Sequence, residues 1–327
     1  MIITQTPFRV SFAGGGTDLP AFYHEEPGAV LSVTIARHIY VTVHGRFKNN
    51  IRVAYSKMEI RDRVADINHE LVRESMIVTE QKGPIEITTI GDVPAGTGMG
   101  SSSTLTVGML NALYAYSNRI VNREQLAAQA CDIEINRLQK PIGRQDQYAA
   151  AYGGMNFIRF NPDDTVDVEP VPCDLGTFKT LEDWTLLVYT DQQRNADSIL
   201  KQQSAGTKDR MNILRRMRDL ADPMRQTLTG DRPDMESFAG LLHEGWELKR
   251  SLGFGISTQQ VEDWYDAARK AGALGGKLLG AGGGGFLLLL APPDRHAAIR
   301  TALGHPQELD FQVDRSGSRI IFVSEHH

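Results

Sequence analysis

The sequence predicts an α+β protein built as two halves around a cleft. Three observations carry this prediction. The first third is rich in short β-branched runs broken by Gly, Pro or Asn. Residues 196–271 read as a succession of helices. Two glycine-dense turns, 92–104 and 280–285, lie far apart in the chain, each next to an apolar run. At 327 residues the chain is long enough for two domains with sizeable cores, placed at 1–180 and 181–327.

In chain order, strands are expected over 2–4, 8–12, 29–36, 39–46 and 51–54. A helix follows over 66–80 and a strand over 85–90. The first glycine turn leads into a helix from Ser101 to about Ser117. Asn122 opens the next helix, and Gln125 three residues on completes a capping pattern. The inward stripe of that helix is Ala127, Cys131, Glu134 and Leu138. Pro141 and Gly143 end it, and Asp146 falls near the start of a short small-residue helix. Strands 155–160 and 166–171 come next. Residues 173–183 change composition and read as the boundary between the halves. Beyond a strand at 184–189 the pattern predicts helices over 196–203, 208–228, 235–252 and 258–271. Residues 272–279 enter the second glycine turn. The run 286–290 lacks alternation, which marks a strand buried on both faces. A helix near 294–303 and strands at 309–313 and 319–323 complete the prediction.

A formal net charge of −5 argues against a general nucleic-acid binder, which needs a basic surface to neutralise phosphates. Two cysteines, Cys131 and Cys173, cannot build a disulfide scaffold or a multi-cysteine metal site; they read as buried thiols in a reducing compartment. The N-terminal residues lack the pattern of a secretory signal, and the longest aliphatic stretch, 286–291, is far too short to cross a bilayer. No membrane association and a cytoplasmic location are expected.

The chemistry concentrates in a few places. Gly96, Gly98 and Gly100 alternate with single residues, and Ser101, Ser102 and Ser103 read as the cap and first turn of the following helix. A helix N-terminus with free N–H groups favours phosphate, although an ordinary strand–turn–helix junction has the same pattern. Glu134 on an apolar stripe calls for a cationic partner, a core salt bridge or a metal, or else for a helix register other than this stripe implies. Asp146 is a first-turn acid of the kind the helix dipole favours. Lys277 reads as a solvated lysine at a strand end. Familiar nucleotide motifs fail: Gly276-Lys277 is followed by Leu278 rather than a hydroxyl residue, and the 96–100 glycines lack dinucleotide-binding spacing.

Three stretches, 7–18 (PFRVSFAGGGTD), 94–103 (PAGTGMGSSS) and 277–286 (KLLGAGGGGF), together resemble the three motifs of the GHMP kinases, in the same order. Within that superfamily, 14–18 (GGGTD) and 143–147 (GRQDQ) look most like the bacterial heptose 7-phosphate kinases, and fucokinase domains share much of the pattern. The resemblance implies a two-domain fold: an N-terminal domain with a left-handed βαβ unit and a ferredoxin-like C-terminal domain. It implies ATP at Pro94, Gly96, Gly98, Gly100 and Ser101–Ser103, with Mg2+ between Ser101 or Ser102 and Glu134. It further implies Asp146 as catalytic base with Arg9 beside it, and Asp18 as the acceptor of sugar hydroxyls. Gly15 and Gly16 stand where galactokinases carry the Glu-His pair that holds galactose, which opens room for a larger sugar. Gly282 and Gly283 would close the site by backbone approach. Arg144 and Arg194 are candidates for a substrate phosphate, with plain surface charge as the alternative. The activity implied is phosphorylation of the anomeric hydroxyl of a heptose 7-phosphate to the 1,7-bisphosphate. A free hexose such as L-fucose is the alternative substrate, and a non-catalytic sugar sensor the alternative role. The expected partners are ATP and a sugar phosphate, and a homodimer is compatible with the sequence.

Overall fold

The computed structural model describes all residues except 193–206, 208, 209, 231, 254 and 325–327. The helix expected at 196–203 and the candidate Arg194 therefore lie outside the described residues. The larger sheet is built on two long strands, β1 (Ile2–Ala13) and β2 (Gly28–Gly45). Each replaces two short strands of the prediction. The apparent breaks are irregularities within a continuous pairing: the β1–β2 register shifts between Pro7 and Phe8, where proline has no N–H to donate, and again between Ser11 and Ala13.

The remaining strands of this sheet are β3 (Ile51–Ala54), β4 (Met58–Arg61), β5 (Ile85–Gly91), β6 (Met155–Phe160) and β7 (Val166–Pro170). Along one edge β2 pairs with β1 over most of its length. Along the other it pairs with β6 at residues 28–33 and with β5 at residues 39–45. One 18-residue strand thus serves two neighbours on one side, and the sheet splits there. β3 and β5 are parallel, joined across helix α2 (Glu70–Val78), as the expected βαβ unit requires. Helix α3 (Ser101–Tyr116) lies against β1 and β2 with α2, α4 (Arg123–Cys131) and α5 (Gln145–Tyr152) around it. It is enclosed on most sides, which is why it is largely apolar after its Ser-Ser-Ser-Thr first turn.

The smaller sheet contains β8 (Thr185–Tyr189), β9 (Gly275–Leu278), β10 (Phe286–Leu290) and β11 (Glu308–Leu309), in spatial order β11-β8-β10-β9, all antiparallel. With helices between β8 and β9 and between β10 and β11, this is the βαββαβ order of a ferredoxin-like domain. β10 is central and every residue of it is buried, as its unbroken apolar run demands. The chain then returns to the first sheet: β12 (Arg319–Val323) pairs antiparallel with the outer edge of β1.

Three local predictions are corrected. Residues 173–183, read only as a boundary, contain a helix the prediction lacked: Leu175–Trp184, whose cap, Asp174, accepts from Thr177 N at 2.7 Å, with residues 180 and 181 inside it. The helix expected over 208–228 is two, Met211–Asp219 and Ala221–Leu228. Pro223 explains the break, because proline is tolerated only in a first helical turn, where no N–H is needed. Lastly, α4 does not run on as an α-helix: Asp132–Arg137 is a π-helical turn. Cys131 is buried as expected, whereas Cys173 is only half-buried.

The two sheets share a core. Phe12 at the end of β1 meets Phe238, on the helix Met235–Ser251, edge to face with ring centroids 5.0 Å apart. The cleft opens beside this junction. Among the described residues no helix is long and apolar enough to cross a membrane.

Candidate active site

A cleft of about 440 Å³ lies where β1, the first glycine turn, α5 and the second glycine turn converge. A volume of this size is typical of small-molecule sites. Its floor is a charge pair. Arg9 reaches Asp146 with two parallel bonds, Nε to Oδ1 at 2.7 Å and Nη2 to Oδ2 at 2.8 Å. This fork geometry is the strong form of such pairs. The guanidinium also donates from Nη1 to Gly98 O at 2.7 Å, which ties the charge pair to the first glycine turn. Arg9 is almost buried while the Asp146 side chain stays about a quarter open, so the carboxylate faces the cleft.

The first glycine turn is held by contact with the second. Gly98 has φ +83° and a Cβ there would sit 2.5 Å from Leu279 O; a Cβ at Gly280 would sit 2.4 Å from Gly98 Cα. The two turns therefore touch backbone to backbone, which only glycines permit. The expected cap is corrected: Gly100, in the left-handed region, caps α3, and Ser101–Ser103 are its first turn, with no side-chain cap bond. Their hydroxyls are free to point elsewhere. Gly96, Gly98, Gly100 and the three serines all line the cleft, whereas Pro94 sits behind it, its carbonyl accepting from Thr97 Oγ1 at 3.0 Å.

Glu134 is completely buried, as its place on the apolar stripe suggested, but among the described residues no core salt bridge meets it. Its partners are neutral: Ser102 Oγ donates to Oε1, and Gln147 Nε2 donates to Oε2 at 2.7 Å. Burial pushes its pKa up to about 7, with the Asp146 charge adding to the rise and the bonds from Ser102, Ser103 and Gln147 opposing it. A buried carboxylate with only neutral partners is a poor structural element on its own. Serine hydroxyl and carboxylate oxygens are hard donors of the type Mg2+ takes, so this pair fits such an ion.

Another part of the cleft is built from the loop after β1. Asp18 is buried against the cleft and accepts from Gly16 N at 2.9 Å and from Gln145 Nε2 at 3.0 Å. Burial, and secondarily repulsion from Asp146, raises its pKa. Gly143 lies directly behind it, and a Cβ there would meet Asp18 Oδ2 at 1.9 Å. Gly15 and Gly16 line the cleft with no side chain to obstruct it. Gln145 Oε1 is buried without a partner among the described residues. Gly282 lines the cleft; Gly283 does not, and its N–H is taken by Ile256 O at 2.9 Å.

Two expectations fail here. Arg144 is not at the cleft: it stacks on Tyr23, 5.0 Å from the ring centroid, and its guanidinium is paired with Asp164 at 2.7 Å. Lys277 is not solvated. It is buried in the cleft wall and donates to Ser11 O at 2.7 Å and Phe12 O at 3.3 Å. Sequence reasoning also missed Lys249, buried in the same wall and donating to Gly280 O. Its signal in the sequence is slight: it shares a helical face with Leu242 and Trp246, at steps of four and three.

Two family models match the chain. One, described as GHMP kinases N terminal domain, matches residues 64–154, and the other, GHMP kinases C terminal, matches residues 224–306. Among curated proteins, a D-glycero-alpha-D-manno-heptose 7-phosphate kinase from Campylobacter jejuni is 30% identical, over 95% of this chain and 96% of that protein. A bifunctional fucokinase/GDP-fucose pyrophosphorylase of Arabidopsis thaliana is 27% identical over 94% of this chain, which spans only 32% of that longer protein. Among solved structures, a D-glycero-D-manno-heptose 1-phosphate kinase from Bacteriodes thetaiotaomicron superposes with a TM-score of 0.82 at 25% identity, covering 99% of this chain and 100% of that one.

Proposed function

We propose, for a chain that belongs to the GHMP kinases and is a sugar kinase, that it transfers the γ-phosphoryl group of ATP to the anomeric hydroxyl of D-glycero-D-manno-heptose 7-phosphate. The observation that carries this reading is the Arg9–Asp146 fork, bonded to the first glycine turn on one side and facing Asp18 across one cleft. An acceptor hydroxyl held by Asp18 and Gln145 Oε1 is placed against Asp146, with a phosphate on the α3 N-terminus beyond it.

In the proposed reaction the anomeric oxygen attacks the γ-phosphorus as the bond to the β,γ-bridging oxygen breaks and ADP leaves. The hydroxyl proton passes to the Asp146 carboxylate, which Arg9 holds in place by both oxygens. The bond from Arg9 to Gly98 O keeps that carboxylate in register with the phosphate turn. Ser102 and Glu134, with Ser101 beside them, would hold Mg2+, which supplies charge neutralisation on the phosphates when bound. In this reading residues 1–180 supply the nucleotide cradle and base, and 181–327 supply the lid of glycines and the far wall.

The substrate is favoured by one relative, a kinase of heptose 7-phosphate; the other, a heptose 1-phosphate kinase, supports only a heptose that already carries a phosphate. The unobstructed backbone at Gly15 and Gly16 also suits a long sugar. The test is ADP formation with heptose 7-phosphate, L-fucose and galactose as acceptors, with 31P NMR of the product. We expect turnover with the heptose phosphate and a new anomeric phosphate signal. Turnover confined to L-fucose or galactose would remove this substrate, and turnover with none of the three would remove the reading.

A further inference from the structure

Four cationic side chains line the cleft: Arg9, Lys140, Lys249 and Lys277. Two are neutralised by carboxylates. Arg9 is forked onto Asp146, and Lys140 pairs with Glu70 at 2.5 Å. The other two are buried and have, among the described residues, no carboxylate within 4 Å. Lys249 Nζ donates to Gly280 O, and Lys277 Nζ to Ser11 O and Phe12 O. Backbone carbonyls solvate an ammonium but do not neutralise it. The two lysines also repel each other and both are repelled by Arg9; only Asp18 offers Lys249 a distant attraction. A third polar group stands beside them without a partner: Ser11 Oγ is buried in the same wall and makes no hydrogen bond among the described residues.

A protein does not gain stability by burying two like charges against carbonyls. Such an arrangement is explained when an anion completes it. We propose that Lys249, Lys277 and Ser11 form a phosphate-recognition wall for the phosphate that the sugar already carries, distinct from the phosphate being transferred. This rests on the sugar-kinase reading and names a group within its site that selects the substrate. The placement favours the sugar's own phosphate. Lys277 is anchored on the last residues of β1, which run directly into the 14–18 loop that carries Asp18. The serines of the α3 N-terminus already provide for the nucleotide. The wall places the cationic groups on the helix Met235–Ser251 and on β9 rather than at Arg144, which is paired with Asp164 away from the cleft.

The test measures binding by calorimetry with ADP present, using heptose 7-phosphate and unphosphorylated heptose. For the wild-type chain we expect the phosphorylated sugar to bind about 100-fold more tightly, the preference that charge-assisted contacts to one phosphate can supply. In Lys249→Met that ratio falls below about 5, in Ser11→Ala it falls a few-fold, and Lys249→Arg retains most of it. ADP affinity, measured separately, stays within about 3-fold of wild type in each variant. A wild-type ratio near one overturns the inference without recourse to any variant, so misfolding of Lys249→Met cannot hide the answer. Loss of ADP affinity as large as the loss of sugar-phosphate affinity also overturns it, because the lysines would then serve the nucleotide. Product formation separates the two levels. A strong, Lys249-dependent phosphate preference without ADP formation supports the wall and removes the kinase reading. Equal kcat/KM for the two sugars removes the wall and leaves the kinase reading standing.

Discussion

At the scale of single residues, the site turns on how burial and charge are balanced. Asp146 is held by both of its oxygens yet remains open to the cleft. Asp146→Asn removes the proton acceptor and half of the fork, and we expect kcat to fall at least ~100-fold while the affinity for a non-hydrolysable ATP analogue changes little. Unchanged kcat would show that another group serves as base. Lys249 gives a pH prediction. Burial, then repulsion from Arg9, lowers its pKa from the ordinary lysine value to about 8, with Asp18 opposing and Lys277 close by as a further like charge. The lysine is charged below that value and neutral above it, whereas a sugar phosphate with a second pKa near ~6 is already dianionic there. kcat/KM for heptose 7-phosphate should therefore decline as pH rises through about 8. In Lys249→Arg, whose charge persists, that decline should be smaller, leaving only what Lys277 contributes.

Residue-scale legibility was uneven for physical reasons. Glu134 announced itself because a carboxylate on an apolar stripe has no inexpensive explanation, and it is indeed buried. Lys249 and Lys277 did not. A lysine in the last turn of a helix, or after a glycine at a strand end, is usually solvated, and nothing local distinguishes the exception. Their burial is fixed by the apposition of the two sheets, a tertiary fact. Arg144 misled in the opposite direction: its neighbours in sequence are site residues, but its partner Asp164 lies in the turn between β6 and β7.

Among the elements, the two glycine turns behave as one unit. A methyl at position 98 would collide with Leu279 O and would also need a φ of +83°. Gly98→Ala should weaken nucleotide binding at least ~10-fold and lower the melting temperature, since both the cradle and its contact with the second turn must shift. Isothermal titration with ADP and a thermal melt read the two effects. By contrast, Asp174→Ala removes the cap of the helix Leu175–Trp184, away from the cleft. It should cost about 1 kcal/mol of stability with kcat and KM unchanged. That helix was missed because a composition change was read only as a boundary between the halves. The usable signal was Asp174 three residues ahead of Thr177, a cap pattern of the same kind that located Asn122 correctly. The doubled strands went wrong in the same way: Pro7 reads as a terminator, but a long strand absorbs it with a register shift.

For the molecule as a whole, the order of elements and the α+β class were legible from periodicity. The pairing of distant elements was not. β12 illustrates this. Nothing in residues 319–323 names residues 2–5 as their partners, yet they form the edge of the larger sheet. Ile320, Ile321, Phe322 and Val323 remain substantially exposed there, so the strand contributes mainly its backbone bonds and the protection of β1. Deleting 319–323 should lower the melting temperature by several degrees and raise light scattering on heating, because the uncovered β1 edge is a template for intermolecular pairing. Monomeric, equally stable protein after the deletion would show that β1 is protected some other way.

That closing strand also bears on how the chain is made. β12 leaves the ribosome roughly 300 residues after β1, so at about 5–20 residues per second the outer edge of β1 waits on the order of 15–60 s for its partner. The half that carries Arg9 and Asp146 consequently cannot finish assembling as it emerges. The nascent sheet has to be shielded until β12 has emerged, and the demand on chaperones is set by that strand rather than by the elements made before it.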